Sequence, residues 1–316
     1  MSNKRFFHAS LLVLSVSLFF TACKKDDPDI PSGQMQLEVT DGPVDDANVK
    51  AVFVTVTDVK IDGRSWDGFS GATTIDLMSY QNGSTKLLGN GSLEGKAYSN
   101  IVLVLDYDQD ASGAAPGCYV VDNKGAKIKL TGSGTQEIKI KGNFQPDESQ
   151  RLDLVADFDL RKALTYDASN SGYMLATASE LETSLRLVVK SETGAIHGTC
   201  TDAFSGADKI VVYAYEKGQF DLETEKMPQG ASEIQFKNAV TSAAVANNGD
   251  YQLSFLESGD YELHFVAYKD DNADGELEAM GVLNVNILGG LDILGLNLAA
   301  ALNLDVDVVV TGVTPL

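Results

Sequence analysis

Hydrophobic and polar residues alternate in short runs along most of the chain, and this two-residue period is typical of β-strands with one buried face. In residues 34–40, Met35, Leu37 and Val39 alternate with glutamine and glutamate, and residues 49–61 continue the pattern with valines. The same pattern predicts strands at 73–78, 98–107, 118–121, 126–130, 136–141, 151–158, 173–176 and 185–189, with one helical turn at 160–164.

The second half of the chain shows the same short period. Strands are predicted at 194–199, 209–215, 248–253 and 258–263. Asn248-Gly249 leads into one of them, and an Asn-Gly pair is expected to supply the positive φ angles of a tight hairpin turn.

The last thirty residues carry a mixed pattern. Gly289, Gly290 and Gly295 interrupt a helical spacing of apolar residues, and each costs up to about 1 kcal/mol in a helix. Residues 302–308 then alternate as a final strand. Two interpretations stay open: a loop over the core followed by an edge strand, or an apolar patch for a partner. The apolar residues concerned are Ile287, Leu291, Leu294, Leu298 and Leu302.

Short apolar segments, frequent glycine and repeated Asp-Gly and Asn-Gly pairs together indicate an all-β protein. The length of 316 residues is enough for two domains with separate cores. We therefore predict two β-sandwich domains in tandem, at residues 34–190 and 191–316.

The first thirty residues have the composition of a bacterial export signal. Lys4 and Arg5 precede a short apolar run that ends at Thr21-Ala22, directly before Cys23. This arrangement resembles the lipobox of bacterial lipoproteins, in which the cysteine is acylated and becomes the first mature residue. The prediction is a signal peptide at 1–22, membrane lipid attached through acylated Cys23, and a tether at 23–33. An ordinary secretory signal with a chance cysteine is the alternative, and the run is short for a transmembrane helix.

The residues after Cys23 indicate where in the cell envelope the protein is located. Lys24-Lys25-Asp26-Asp27 resembles the surface-export signal of some Gram-negative lipoproteins, which is a lysine followed by acidic residues. It predicts lipid anchoring in the outer membrane with the protein on the cell surface. A plain solvated tether on the periplasmic face is the alternative.

The charge balance narrows the set of partners. The chain has 45 acidic and 24 basic residues and a net charge of −21, which becomes −23 without Lys4 and Arg5. Such a polyanion disfavours nucleic acid and anionic membrane surfaces and favours divalent cations or cationic partners.

One acidic loop has the composition of a calcium site. Asp270, Asn272 and Asp274 place side-chain oxygens at every second residue, Gly275 permits a sharp turn, and Glu276 and Glu278 could add ligands. The loop lacks the twelfth-position glutamate of an EF-hand, where Gly281 stands, and strands are predicted on both sides. Calcium as a stiffening cofactor and a solvated hairpin tip both remain open.

Other candidate residues are few. Trp66, the single tryptophan, lies in a glycine-bounded loop and is a candidate ligand-binding residue or a ring folded back onto its own domain. Cys118 and Cys200 either pair or remain buried thiols. His197 and His264 fall in predicted strands, no nucleophile motif accompanies them, and no catalytic residue is predicted.

The first domain resembles a bacterial domain of unknown function, number 4382 in that series, over about residues 33–190. The resemblance is carried by segments that occur in the order of the family: Leu37-Glu38-Val39-Thr40-Asp41-Gly42-Pro43-Val44, Val49-Lys50-Ala51-Val52, Ile75-Asp76-Leu77, Asn82-Gly83, Gly95 with Tyr98, Asp157-Phe158-Asp159 and Tyr173-Met174-Leu175. Asn100-Ile101-Val102 departs from the family pattern. The resemblance implies a fold and a lipoprotein context but no catalytic residue.

The second domain resembles carboxypeptidase-regulatory and transthyretin-like β-sandwich modules. The resemblance is carried by two turn-to-strand segments, Asn248-Gly249-Asp250-Tyr251 and Ser258-Gly259-Asp260-Tyr261. It implies a spacer or scaffold rather than an enzyme.

Three functions are consistent with these patterns. The first is a non-catalytic surface lipoprotein that binds a glycan, a matrix protein or an envelope partner. The second is an extracellular polysaccharide hydrolase that uses an Asp/Glu pair, which predicts two carboxylates about 5 to 10 Å apart in one cleft. The third is a structural spacer stiffened by calcium, which predicts no soluble ligand.

Overall fold

The structure is a computed structural model, and it describes residues 31–44, 46, 48–167, 172–272 and 277–316. The signal peptide, Cys23 and residues 24–30 of the tether lie outside the described residues, so these predictions stay predictions. In the described part of the chain, no helix is long and apolar enough to cross a membrane.

Most of the described residues in regular structure form strands, and the helices are short. The strands are β1 Ser32–Asp41, β2 Val49–Ile61, β3 Arg64–Ser65, β4 Thr73–Asp76, β5 Lys86–Glu94, β6 Tyr98–Asp106, β7 Tyr119–Asp122, β8 Lys127–Lys129, β9 Thr135–Phe144, β10 Leu152–Phe158, β11 Leu164–Asp167, β12 Gly172–Leu175, β13 Leu185–Val189, β14 Thr193–Thr201, β15 Lys209–Glu216, β16 Thr241–Ala244, β17 Asp250–Glu257, β18 Gly259–Lys269, β19 Glu278–Leu288, β20 Leu296–Leu298, β21 Asn303–Asp305 and β22 Asp307–Pro315. The helices are α1 Leu160–Ala163, α2 Ala178–Ser184 and α3 Leu222–Glu225, with 3-10 turns at Leu77–Ser79 and Lys190–Glu192. The predicted all-β, sandwich-type fold is confirmed.

Strands β1 to β13 form the first unit, which we call the N-terminal β-unit. One of its sheets has the order β13-β10-β1-β5, with β1 and β10 parallel, and another has the order β8-β7-β2-β6-β9. The alternating apolar residues of β1 and β2, including Leu37 and Val54, share one buried cluster with residues of β6 and β10. The core therefore lies between these two sheets, as the two-residue period predicts.

Strand β5 and helix α2 are among the elements of the N-terminal β-unit that the periodicity does not predict. Strand β5 carries Gly89 and Gly91, which have no side chain to mark a buried face. Both glycines are needed because the Trp66 loop lies against them: a Cβ at Gly89 would be 2.7 Å from the carbonyl oxygen of Gly68 and from the Trp66 ring. Helix α2 is seven residues long and follows Thr177 as its N-cap residue.

Strands β14 to β22 form the C-terminal β-unit. Its sheet has the order β16-β15-β18-β19-β22-β14-β17, with β20 beside β18 and β21 beside β14. Every described strand pairs within its own β-unit. The domain boundaries themselves, at 1–22, 23–33, 34–190 and 191–316, stay predictions.

The tail forms strands rather than a helix. Gly289 and Gly290 have φ angles of +104° and +81°, which turn the chain after β19 and break the helical spacing. The strand predicted at 302–308 is divided between β21, which pairs with β14 only, and the start of β22. Strand β22 pairs with β19 on one side and β14 on the other, so this part lies inside the sheet. Four leucines of this region remain exposed: Leu288, Leu291, Leu294 and Leu302.

The turn before β17 is tight, as predicted, but only one residue of the Asn-Gly pair has the expected positive φ angle. Only Gly249 of the Asn248-Gly249 pair has a positive φ, at +92°. The Gly249 N–H donates to the Ala246 carbonyl at 2.8 Å, and the Ala246 N–H donates to the Asp250 carbonyl at 2.8 Å. These bonds close a three-residue loop, in which only the last residue needs the left-handed region.

Gly198 is a sharp test of the packing in the C-terminal β-unit. A Cβ at this position would lie 2.1 Å from the carbonyl oxygen of Val306, which is backbone and has no room to move. We expect Gly198→Ala to lower the free energy of unfolding by about 2–3 kcal/mol, because overpacking forces the two segments apart. Urea unfolding checks this.

Gly312 supplies the matched control for that measurement. A Cβ there would lie 3.6 Å from the Asn284 side chain, an ordinary contact. Gly312→Ala is expected to stay within about 0.5 kcal/mol of the parent chain. Equal losses in both variants would contradict the close approach at Gly198.

Candidate functional site at the junction of the two β-units

Helix α1 carries two buried cations from the N-terminal β-unit into the C-terminal one. Leu160 and Ala163 turn into the N-terminal core, and Arg161 and Lys162 are only 4% and 5% exposed. Charged side chains this deeply buried are uncommon unless they are paired. Their partners therefore explain why the helix lies at this junction.

Arg161 binds backbone and side-chain acceptors from both β-units. Its Nη1 donates to the carbonyl oxygens of Gln235 at 2.8 Å and Phe236 at 3.1 Å, and its Nη2 donates to Asp159 Oδ2 at 3.0 Å. The guanidinium carbon lies 5.0 Å from the centre of the Tyr213 ring, a cation–π contact. The planar fork of arginine suits this set of fixed acceptors.

Lys162 repeats the link one residue later. Its Nζ donates to the Ala239 carbonyl at 2.9 Å and lies 3.1 Å from Asp159 Oδ2. Burial lowers the pKa of Lys162, although the Asp159 charge opposes that shift. Burial alone would raise the pKa of Asp159, but Arg161 and Lys162 hold it below its ordinary value. Two cations thus share one carboxylate, and this group carries a net positive charge.

A second ion pair, between partly exposed Arg186 and buried Asp157, lies beside the first. Arg186 Nη2 donates to Asp157, and its Nη1 donates to the Phe255 carbonyl of the C-terminal β-unit at 3.2 Å. Burial raises the pKa of Asp157 against the pull of Arg186. Burial also raises the pKa of Asp41 well above its ordinary value, and the charges of Asp157 and Asp159 act in the same direction.

Phe255 fills the junction with an aromatic ring held on a strained backbone. Its φ angle is +56°, a region that bulky residues avoid. It lies at a bulge where β17 gains extra length against β14. Its buried ring clusters with Val155 and Val188 of the N-terminal β-unit. Strain of this kind persists only where the surrounding packing fixes it, so the ring ties the two units together.

Glu180 of α2 completes the junction as an acceptor for the 230–237 segment. It accepts hydrogen bonds from the Ser232 N–H at 3.1 Å and the Ser232 hydroxyl at 2.7 Å, and from Thr177 within its own β-unit. Lys237 Nζ lies 3.7 Å away. Burial opposes the charged form, yet these donors lower the pKa of Glu180 to about 2.

The lowered pKa of Glu180 predicts an acid-dependent stability. Its folded pKa of about 2 lies below the ordinary 4.5, so the stabilisation is complete above pH 4.5 and is lost as the pH falls toward 2. Glu180→Gln should therefore lower the free energy of unfolding by about 1–3 kcal/mol near pH 6 and by progressively less toward pH 2.

Unfolding measured from pH 6 to pH 2.5 checks this prediction. Glu223, whose side chain is 80% exposed beside Lys226, gives the matched control, and Glu223→Gln should shift the curve by less than about 1 kcal/mol. A Glu180→Gln deficit that persists unchanged down to pH 2.5 would show that the lost stability does not depend on the charge.

A cleft of about 410 Å³ opens at the same junction, and Arg161 is among the residues that line it. Tyr166 lines the cleft, is 45% exposed, and meets the Tyr173 ring edge-on at 5.1 Å between centroids. The Tyr173 hydroxyl donates to Asp46 Oδ2 at 2.7 Å, which fixes the ring that backs Tyr166. Exposed Glu233 lies on the opposite unit with a φ of +53°.

The sequence-predicted ligand residue Trp66 lies elsewhere, in the N-terminal β-unit. It is 5% exposed, and its Nε1 donates to the Ser92 carbonyl at 3.1 Å. The backbone of Gly68 lies directly on its ring. One edge of Trp66 lines a separate cleft of about 480 Å³ with Asp62, Arg64 and Lys96. Its role in binding a ligand stays a prediction.

The predicted calcium loop is described only in part, because Asp274 and Glu276 lie outside the described residues. Asn272 donates to Glu278 Oε1 at 3.1 Å, and the Asp270 N–H donates to Asp208 Oδ2 at 3.0 Å. Within the described ranges, no group of three or more potential metal-ligating side chains occurs. The calcium site therefore stays a prediction.

The cysteines and histidines of the described residues lie inside strands or next to them. Cys118 and Cys200 are both buried thiols without a disulfide, and burial raises their pKa values to about 11 and about 12. His264 stacks on Phe220 at 3.6 Å, and burial lowers its pKa against the pull of Glu262. His197 Nδ1 lies 2.9 Å from Asp305.

The junction residues were not among the sequence-predicted sites. The signal available was the run Asp157 to Lys162, in which four of six residues are charged although it directly continues a buried strand. A charge run is usually a solvated face, and the acceptors for these cations lie 74 to 77 residues further along the chain. The local sequence pattern around Arg161 and Lys162 therefore does not indicate these acceptors.

Comparison with solved structures gives weak similarities. A leucine-rich repeat protein from Bacteroides thetaiotaomicron is 9% identical with a TM-score of 0.22, over 90% of this chain and 26% of that one. The Bacillus anthracis TIE protein is 11% identical with a TM-score of 0.18, over 88% and 34%. The Bacillus cereus major pilin subunit BcpA is 11% identical with a TM-score of 0.21, over 88% and 70%.

The chain thus spans about a quarter and a third of the first two of these proteins, and TM-scores this low say nothing further about it. No curated protein matches the chain. Residues 32–177 match the family model described as Domain of unknown function (DUF4382), which confirms the resemblance predicted for this part of the chain.

Proposed function

We propose that this chain is a non-catalytic binding or scaffold module, anchored to the outer membrane through acylated Cys23 and exposed at the cell surface. The observation that carries the proposal is the junction, where Arg161 and Lys162 of one β-unit donate to backbone carbonyls of the other. Backbone acceptors fix the relative position of two units more firmly than exposed side-chain pairs do. A fixed pair of units suits the display of a binding surface at a distance from the membrane.

The anchoring half of the proposal rests on the residues around Cys23. Cells expressing the full chain should incorporate radiolabelled palmitate into it, and Cys23→Ser should abolish the label and release the protein into the soluble fraction. Protease treatment of intact cells then tests surface exposure. A chain that resists protease until the envelope is broken faces the periplasm instead.

The partner is proposed to be a glycan, a matrix protein or an envelope protein, and the net charge of −21 argues against nucleic acid. Binding of the purified chain to glycans, matrix proteins and envelope extract tests this, with calcium and again with chelator. A saturable interaction supports the proposal. The absence of any interaction overturns the binding role.

Calcium is proposed as a stiffener through Asp270, Asn272, Asp274, Glu276 and Glu278, which follow β18 in the sequence and end at the first residue of β19. Millimolar calcium should raise the melting temperature of the chain, and Asp270→Asn should remove that rise. Asp62→Asn, at an acidic residue outside this loop, is the control. A calcium titration with neither heat nor a melting shift would eliminate the site.

A spacer that holds another protein away from the membrane is the second candidate, and the fixed junction favours it equally. The binding module and the spacer predict different results in the binding experiment. A spacer binds no soluble ligand and is recovered only with its envelope partner after cross-linking on the cell.

A further inference from the structure

The cleft at the junction has the form of a small-ligand site. Its volume of about 410 Å³ falls within the usual range of about 300–1,000 Å³, and such sites favour the boundary between two structural units. One wall comes from the N-terminal β-unit through Tyr166 and Asp46, and the other comes from the 232–235 segment of the C-terminal one. We propose that this cleft binds a neutral saccharide, with Tyr166 stacking on a sugar ring. This inference rests on the proposed binding function.

Tyr166 supplies a flat apolar surface that is already positioned. The ring is 45% exposed, whereas its neighbour Tyr173 is buried and held by the hydrogen bond to Asp46. The edge-on contact between the two rings restricts the orientation of Tyr166. An exposed aromatic ring held in one orientation binds a flat apolar face at little cost in conformational entropy.

The charged residues that line the cleft are of both signs. Asp46 and Glu233 would repel an anion, as would the net charge of −21. Arg161 also lines the cleft, so a cation would face one like charge there. A neutral ligand with hydroxyl groups meets neither repulsion.

The polar groups of the cleft match a ligand that both donates and accepts hydrogen bonds. Carboxylate oxygens of Asp46 and Glu233 accept from hydroxyl groups. Gln235 also lines the cleft, and its side-chain amide has a second hydrogen besides the one that it donates to the Lys226 carbonyl. That hydrogen can be donated to an oxygen atom of the ligand. Hydroxyl groups fulfil both roles, and a sugar ring adds the apolar face.

The test is calorimetric titration of the full-length mature chain in detergent with four neutral probes: maltohexaose, cellohexaose, xylohexaose and chitohexaose. At least one probe should bind saturably. Tyr166→Ala should weaken that binding by about tenfold or more, and Tyr166→Phe, which keeps the ring, should change it by less than about threefold. The matched control is Phe204→Ala, since Phe204 is an aromatic residue outside the cleft and 69% exposed. It should leave binding unchanged.

Glu233→Gln separates a saccharide from a cationic ligand. A glutamine still accepts from a hydroxyl group, so sugar affinity should change by only a few-fold, whereas affinity for an ammonium group would be lost. Hexalysine serves as the cationic probe. Binding of hexalysine that is lost in both Tyr166→Ala and Glu233→Gln would overturn the saccharide assignment.

The remaining outcomes distinguish this inference from the proposed function. Sugar binding that is unchanged in Tyr166→Ala overturns the cleft as the site while the binding function stands. No binding of any hexasaccharide, with a protein partner captured from the envelope, also overturns the inference alone. If the chain binds no hexasaccharide and captures no protein partner from the envelope, the inference and the proposed binding function are both overturned.

Discussion

Replacing Arg161 with alanine should lower the free energy of unfolding by about 3–5 kcal/mol, which is the range found when one partner of a buried ion pair is removed. The substitution leaves the carbonyls of Gln235 and Phe236 without their donor and removes the cation–π contact with Tyr213. Because these bonds join the two β-units, the effect should concentrate at the junction. A single urea transition in the parent chain should separate into two in the variant.

Urea unfolding followed by far-ultraviolet circular dichroism and by Trp66 fluorescence measures this effect. Trp66 lies in the N-terminal core, so its fluorescence reports that unit alone, whereas circular dichroism reports both. The control is Arg151→Ala, since Arg151 pairs with Asp153 at the surface with a side chain 52% exposed, and it should cost at most about 1 kcal/mol. Coincident transitions in Arg161→Ala with little loss would show that the buried cations do not couple the units.

Phe255→Ala should cost a similar amount, about 3–5 kcal/mol, because it removes a buried ring from between the two β-units. The positive φ of Phe255 adds a second, sharper expectation. Glycine adopts this backbone conformation freely, whereas alanine pays about 1–2 kcal/mol for it. Phe255→Gly should therefore be at least as stable as Phe255→Ala, although glycine is normally the less stable residue in a strand.

Phe265 provides the comparison for that reversal. It is fully buried in β18 and is not among the residues with a positive φ. Phe265→Gly should be less stable than Phe265→Ala by about 0.5–1 kcal/mol. Urea unfolding of the four variants decides the matter. The same order of stability at both positions would contradict backbone strain at Phe255.

The strands were largely predictable because their information is local. In β1 and β2, apolar residues alternate with polar or less apolar ones over several positions, which is enough to show the two-residue period even where both faces are buried. Strand β5 is not predicted because its two glycines are required by close packing against Trp66, which lies more than twenty residues earlier in the sequence. The final strand predicted at 302–308 is divided between β21, which pairs with β14 alone, and β22, which lies between β19 and β14, because strand order depends on partners far away in sequence.

The candidate site was much less predictable than the fold. Arg161 and Lys162 look like a solvated pair when only their neighbours in sequence are considered, because isolated charges are costly to bury. What reverses that expectation is a set of backbone carbonyls from the 235–239 segment, and a carbonyl carries no residue-specific signal. Tyr166 likewise becomes distinctive only through its position beside the cleft.

The position of β1 has a mechanical consequence. This strand begins at Ser32 and lies between β10 and β5, with pairing from Met35 to Asp41 on one side and from Ser32 to Val39 on the other. A force that pulls on residue 31 along the strand loads both ladders in shear, since ladder hydrogen bonds run across the strand direction. Many bonds must then break together instead of opening one by one. If the chain is held by its tether in flowing medium, the strand that takes the load is the one with neighbours on both sides.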